Sequence, residues 1–134
     1  MRKNKYNNVR VEVDDIKFDS KVEARYYEFL KREKRYNRIQ DFEIHKTYDL
    51  LDSYSLEGER KNSTIKYIAD FIVIDTNHII QSGNIIQDNK LIKVIDIKGG
   101  DTTSIFKLKK KMFESKYKLK LYEARIVNGN WEYT

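Results

Sequence analysis

Cysteine and proline are both absent from this 134-residue chain, and histidine occurs only as His45 and His78. Without cysteine there is no disulfide framework and no thiolate metal site. Two histidines far apart in sequence offer no histidine metal cluster, so zinc is not expected. No apolar run approaches the ~18 residues of a membrane-spanning helix. The first eight residues are basic and lack the apolar segment of a signal peptide. These absences point to a cytoplasmic protein with no membrane attachment.

What is present fits a folded domain. Hydrophobic residues make up 40% of the chain and aromatics 13%, and the length suits a single domain over residues 1–134. The net charge is +6, which suggests an anionic partner such as nucleic acid. The positive charge is grouped. Arg2, Lys3, Lys5 and Arg10 lie in a polar stretch, residues 1–10, read as a flexible basic arm. Lys31, Arg32, Lys34, Arg35 and Arg38 form a second cluster, and Lys107, Lys109, Lys110, Lys111, Lys116, Lys118 and Lys120 a third. Each cluster also suits a solubilising helix face.

Residues 11–18 alternate apolar and polar positions around Asp14-Asp15, which predicts a small hairpin or two short extended pieces. A helix should open at Asp19-Ser20 and run to about Tyr36, with Val22, Tyr26, Phe29 and Leu30 as its core stripe. Ser20 and Glu23 have the spacing of a capping box. Glu23 also lies on the inner flank, where it could face a sheet, and both readings stay open. Residues 42–50 form a strand with a loose period of two, and His45 reads as a surface or sheet-edge residue.

Residues 51–63 read as a loop and 64–75 as the next strand. Asp70 interrupts the apolar run from Ile68 to Ile74. A carboxylate inside a buried strand needs compensation, either from a metal ion or from structural hydrogen bonds. Residues 76–89 form an irregular connection, with Ile79-Ile80 and Ile85-Ile86 extending the hairpin.

The strand from Lys90 to Lys98 is rich in β-branched residues and ends at Gly99-Gly100. Asp96 and Lys98 are two residues apart, so both side chains project from one face. Such a pair suits phosphodiester hydrolysis: the carboxylate can hold a divalent ion, and the ammonium can orient water or offset charge on the phosphate oxygens. A strand-end salt bridge is the plainer reading. Antiparallel pairing with 64–75 would place Asp70 and Asp96 at neighbouring positions on the same face.

Asp101 to Ser104 supplies cap candidates for a second helix over 104–117. Ile105, Phe106, Leu108, Met112, Phe113 and Tyr117 make its apolar face, and Lys109 and Lys116 fall inside that sector. Lys116 should snorkel; Lys109 could do the same or reach a bound phosphate. A strand over 120–127, a turn at Asn128-Gly129-Asn130 and a short strand over 131–133 close the chain. The order predicts an α/β fold with one mixed central β-sheet flanked by helices.

Glu23 on a first helix, Asp70 on a core strand, Asp96-Ile97-Lys98 on the next and a helix directly after resemble the PD-(D/E)xK nuclease superfamily. That superfamily includes restriction endonucleases, Holliday junction resolvases and the endonuclease subunits of Tn7-type transposases. The chain resembles more closely still a phage family of small proteins catalogued as a domain of unknown function. The stretches that carry this likeness are 2–8, 18–26, Tyr67-Ile-Ala-Asp-Phe71, Asp96-Ile-Lys-Gly99 and 106–113. Ala69 stands where the superfamily has a proline without chemical role.

The resemblance implies a restriction-endonuclease-like core. It implies that Asp70, Asp96, Glu23 and the backbone carbonyl of Ile97 bind Mg2+ or Mn2+, and that Lys98 completes the catalytic set. The expected function is a metal-dependent DNA endonuclease acting on branched or Holliday-junction DNA in phage recombination or replication, in the host cytoplasm and with a homodimer conceivable. Lys109, Lys110, Arg32, Arg35, Lys3 and Lys5 are the expected DNA contacts. A non-catalytic nucleic-acid-binding module on the same fold is the alternative, and a phage protein that binds a host protein is a third.

Overall fold

The computed structural model describes residues 9–75, 85–87 and 90–134. Lys3, Lys5, His78 and Ile79-Ile80 lie outside them. The elements are β1 (Val11–Val13), β2 (Ile16–Phe18), α1 (Lys21–Arg35), β3 (Asp41–Leu51), β4 (Ile65–Asp75), β5 (Ile85–Gln87), β6 (Lys90–Ile97), α2 (Ser104–Tyr117), β7 (Leu121–Val127) and β8 (Asn130–Tyr133). β1 and β2 pair as a hairpin, with positive φ at both Asp14 and Asp15. The other strands form one mixed sheet in the order β3-β4-β6-β7-β8, with β5 paired to β6. β6 and β7 run parallel, and the remaining pairs are antiparallel.

Each helix covers one face. Tyr26, Tyr27 and Leu30 of α1 join Phe18, Phe71, Val73 and Ile95 in one core. Phe106 and Phe113 of α2 join Leu50, Tyr67, Ala69, Ile72, Val94 and Leu121 in the other. The α1 stripe is wider than its spacing predicts, because the β1–β2 hairpin packs on the helix as well as the sheet. The α2 stripe is narrower. Ile105 and Leu108, expected in the core, are 70% and 60% exposed. Phe106 and Phe113 settle on the rings of Tyr67 and Tyr48, and that aromatic seam leaves room for one row of α2 side chains. Lys116 does snorkel, donating to the Asp49 carbonyl at 2.9 Å. Among the described residues no helix is long and apolar enough to cross a membrane.

The face alternation of β3 and β4 reverses midway. Phe42 and Ile44 pack with the α1 core, yet Tyr48 and Leu50, of the same parity, pack with the α2 core. On β4, Phe71 and Val73 belong to the α1 core and Tyr67 and Ala69 to the α2 core. The register runs from Ile44↔Phe71 to Lys46↔Ala69 with no inserted residue. The position between is His45 opposite Asp70, and His45 has φ +52°. A left-handed residue rotates the strand, so both strands turn over together and the loose period of β3 has its explanation.

Candidate active site

Stretches far apart in sequence meet at one end of the sheet. The first turn of α1 from Ser20 to Glu23, Asp70 of β4, and the run from Asp96 to Asp101 line one open cleft of about 630 Å³. Both helices begin there: Ser20 caps α1 by accepting from the Glu23 N–H, and Thr103 caps α2 by accepting from the Phe106 N–H. Helix N-termini carry partial positive charge and favour anions.

Asp96 follows Ile92 and Val94 on the α2 face and is 7% exposed. Tyr67 donates its hydroxyl to Asp96 Oδ1 at 2.7 Å, and Lys98 Nζ lies 2.8 Å from Oδ2. The two-residue spacing therefore makes the predicted Asp–Lys pair. The Lys98 ammonium also sits 3.2 Å from the Phe106 ring centroid, a cation–π contact that holds it against the root of α2. Burial and the neighbouring Asp96 carboxylate push the Tyr67 phenol well above its usual range.

The β4–β6 ladder ends at Phe71↔Ile95. Beyond it the Asp70 side chain takes the place of a ladder carbonyl, and Oδ2 accepts the Ile97 N–H at 2.7 Å. That hydrogen bond is the structural compensation foreseen for a carboxylate here, but it is outweighed. Burial, then the charges of Asp96 and Glu23, push the Asp70 carboxyl up to about 8, against the opposing pull of Ile97 and Lys98. Continued antiparallel pairing would have set Asp70 and Asp96 side by side. The ladder stops one pair short of that, yet both side chains line the cleft and Asp96 is the strongest charge acting on Asp70.

Glu23 is 5% exposed. Its backbone N–H is capped by Ser20, and its carboxylate accepts from the Asp19 backbone and lies 2.9 Å from His45 Nε2. Burial raises its pKa, with His45 acting the other way. His45 is at the sheet edge, as its sequence context indicated, because β3 is the outermost strand. Its bond to Glu23 was not foreseen, nor were the Tyr67 bond to Asp96 and the place of Lys21 in the cleft lining. Histidine rarity was the only sequence signal for His45. Tyr67 could have been flagged by its position three residues before Asp70.

Four of the expected DNA contacts, Lys109, Lys110, Arg32 and Arg35, are among the described residues. Lys110 pairs with Glu123 of β7 at 2.7 Å, and Thr102 also donates to Glu123. These contacts bring the Glu123 carboxyl below its usual range despite the opposing effect of burial. Lys109 is half-buried on the flank of α2. Arg32 and Arg35 are exposed in the last turns of α1, away from the cleft end. Arg125 fastens the turn after Lys98 by donating to the Gly100 carbonyl and Thr102.

The donors at the cleft are carboxylate and carbonyl oxygens, which suit a hard divalent ion such as Mg2+ or Mn2+. Burial first, and then the Asp96 and Glu23 charges, keep the Asp70 carboxyl raised despite Lys98. Donor chemistry therefore fits such an ion. The side chains themselves are drawn onto Ile97, Lys98, Tyr67 and His45. Among the described residues, no three His, Cys, Asp or Glu groups gather at a spacing that could hold a metal.

No curated protein and no solved structure matches the chain. The family described as Protein of unknown function (DUF1064) matches residues 3–129, and the chain belongs to that family.

Proposed function

We propose that this chain is a metal-dependent DNA endonuclease with a restriction-endonuclease-like, PD-(D/E)xK core. The carrying observation is the convergence of Glu23, Asp70, Asp96 and Lys98, from three distant segments, on one cleft at the sheet rim. Asp70, Asp96, Glu23 and the Ile97 carbonyl would hold Mg2+ or Mn2+. When bound, the ion would lower the pKa of a water and offset charge developing on the phosphate. Lys98, fixed between Asp96 and Phe106, orients the water and stabilises negative charge on the phosphate oxygens. Lys21 and the two helix N-termini attract the phosphate to the cleft. Lys109, Arg32, Arg35, Lys3 and Lys5 contribute backbone contacts that carry no base information, and Lys110 is held by Glu123.

The described residues are taken up by the sheet, two helices and a hairpin, with no separate base-reading element among them. Selectivity by DNA shape follows, on branched or four-way-junction DNA in phage recombination or replication. Resolution of a junction needs two active sites, hence a homodimer. The test is cleavage of synthetic four-way junctions, flaps and duplex with Mg2+. Cutting by wild type and not by Asp96→Ala is expected. No cutting of any substrate, with Asp96→Ala indistinguishable from wild type, overturns the reading.

One observation favours a second reading. Glu23, Asp70 and Asp96 each already have a protein partner at the cleft, as in a nucleic-acid-binding module that does not cleave. That module would bind the same junctions with equal affinity in EDTA and in Mg2+, without product.

A further inference from the structure

We propose that His45 is a positioning residue for Glu23 and sets its competence toward the metal ion. This rests on the function proposed above and adds a residue to it. Glu23 is a buried glutamate whose helix begins at the cleft, and His45 Nε2 at 2.9 Å is its side-chain partner from the sheet. The imidazole is held from two sides. Its ring stands edge-on to Phe18, with centroids 5.9 Å apart at 61°, and Phe18 is fully buried. Its backbone has φ +52°, a conformation that costs a residue other than glycine roughly 1–2 kcal/mol.

That conformation is the strand reversal itself. It turns His45 toward α1 at the level where Asp70 stands opposite on β4. His45 and Asp70 also line a common hollow with Lys17, Asp19 and Ile68, beside the cleft. The same backbone event thus releases Asp70 to the rim and brings the imidazole to Glu23. Second-layer partners of this kind orient a carboxylate and tune its affinity for a cation.

The test is Mn2+ binding by isothermal titration calorimetry, with no DNA present. Glycine accepts the positive φ, so His45→Gly removes the imidazole without backbone strain. Its Mn2+ affinity should fall about 10-fold or more, with an unchanged urea midpoint. Added imidazole should restore affinity to His45→Gly and leave wild type unaffected. His45→Gln, which can reach Glu23, should bind nearly as wild type. His45→Asn tolerates the backbone but falls short of Glu23, so it should bind as weakly as His45→Gly, and it carries the test if the glycine variant does not fold. Wild-type affinity in both His45→Gly and His45→Asn, while Asp96→Asn loses Mn2+, overturns the positioning role and leaves the nuclease reading standing. Wild-type protein that binds no Mn2+ overturns both.

Discussion

His45 and Asp70 stand opposite each other on β3 and β4, at the level where both strands exchange their buried faces. The left-handed His45 backbone makes the exchange. A β-branched residue tolerates that backbone worst and glycine best. His45→Val should therefore be less stable than His45→Gly by roughly 1–2 kcal/mol, measured by urea unfolding. Both variants lose the imidazole, so their difference isolates the backbone.

Asp70 makes stability fall as pH rises. Its folded-state pKa is raised from 3.8 to about 8, so the folded chain keeps a proton that the unfolded chain has released. The stabilising effect of that proton is complete below the unfolded value and disappears as pH climbs through the folded one. Asp70→Asn can still accept from the Ile97 N–H and has no charge to desolvate. Metal-free Asp70→Asn should match wild type at pH 4 and exceed it by on the order of a few kcal/mol at pH 9. Equal stability at pH 9 would show that the carboxylate is not held in this environment.

Lys98 acts on charge at the reacting phosphate under the proposed function. Lys98→Ala should slow single-turnover cleavage of junction DNA by about 100-fold to 1000-fold, as loss of one electrostatic stabiliser does. Binding in Ca2+ should change much less. A cleavage rate within twofold of wild type would remove Lys98 from the chemistry.

Lys109 and Lys110 are adjacent, and the structure assigns them different surroundings. Lys110 is paired with Glu123, whereas Lys109 lies on the flank of α2. Lys109→Ala should reduce the slope of log affinity against log salt by about 0.9, the value for one phosphate contact. Lys110→Ala should mainly lower stability, by about 1 kcal/mol for a partly exposed pair. Equal salt slopes for Lys109→Ala and wild type would place Lys109 outside the DNA interface.

Much of the architecture was legible from neighbours in sequence. The second helix was expected over 104–117 and spans Ser104–Tyr117, because Thr103 and the periodic aromatics are local signals. Both hairpin turns were readable from Asp14-Asp15 and Asn128-Gly129, residues that tolerate positive φ. Ile105 and Leu108 were misplaced because periodicity does not report how wide a facing surface is. Tyr48 shares the parity of Phe42 and Ile44 yet packs in the other core, and parity alone cannot show a strand turning over at His45.

By itself the sequence determined the strand and helix spans, and the two-residue spacing that puts Asp96 and Lys98 on one face. Those follow from steric and hydrogen-bonding preferences that act within a few residues. Only the tertiary structure decided that Glu23 meets His45, that Tyr67 meets Asp96, and that Asp70 leaves its ladder for the Ile97 N–H. Those contacts join positions 22 to 29 residues apart, and their formation depends on how the sheet twists and where its pairing stops.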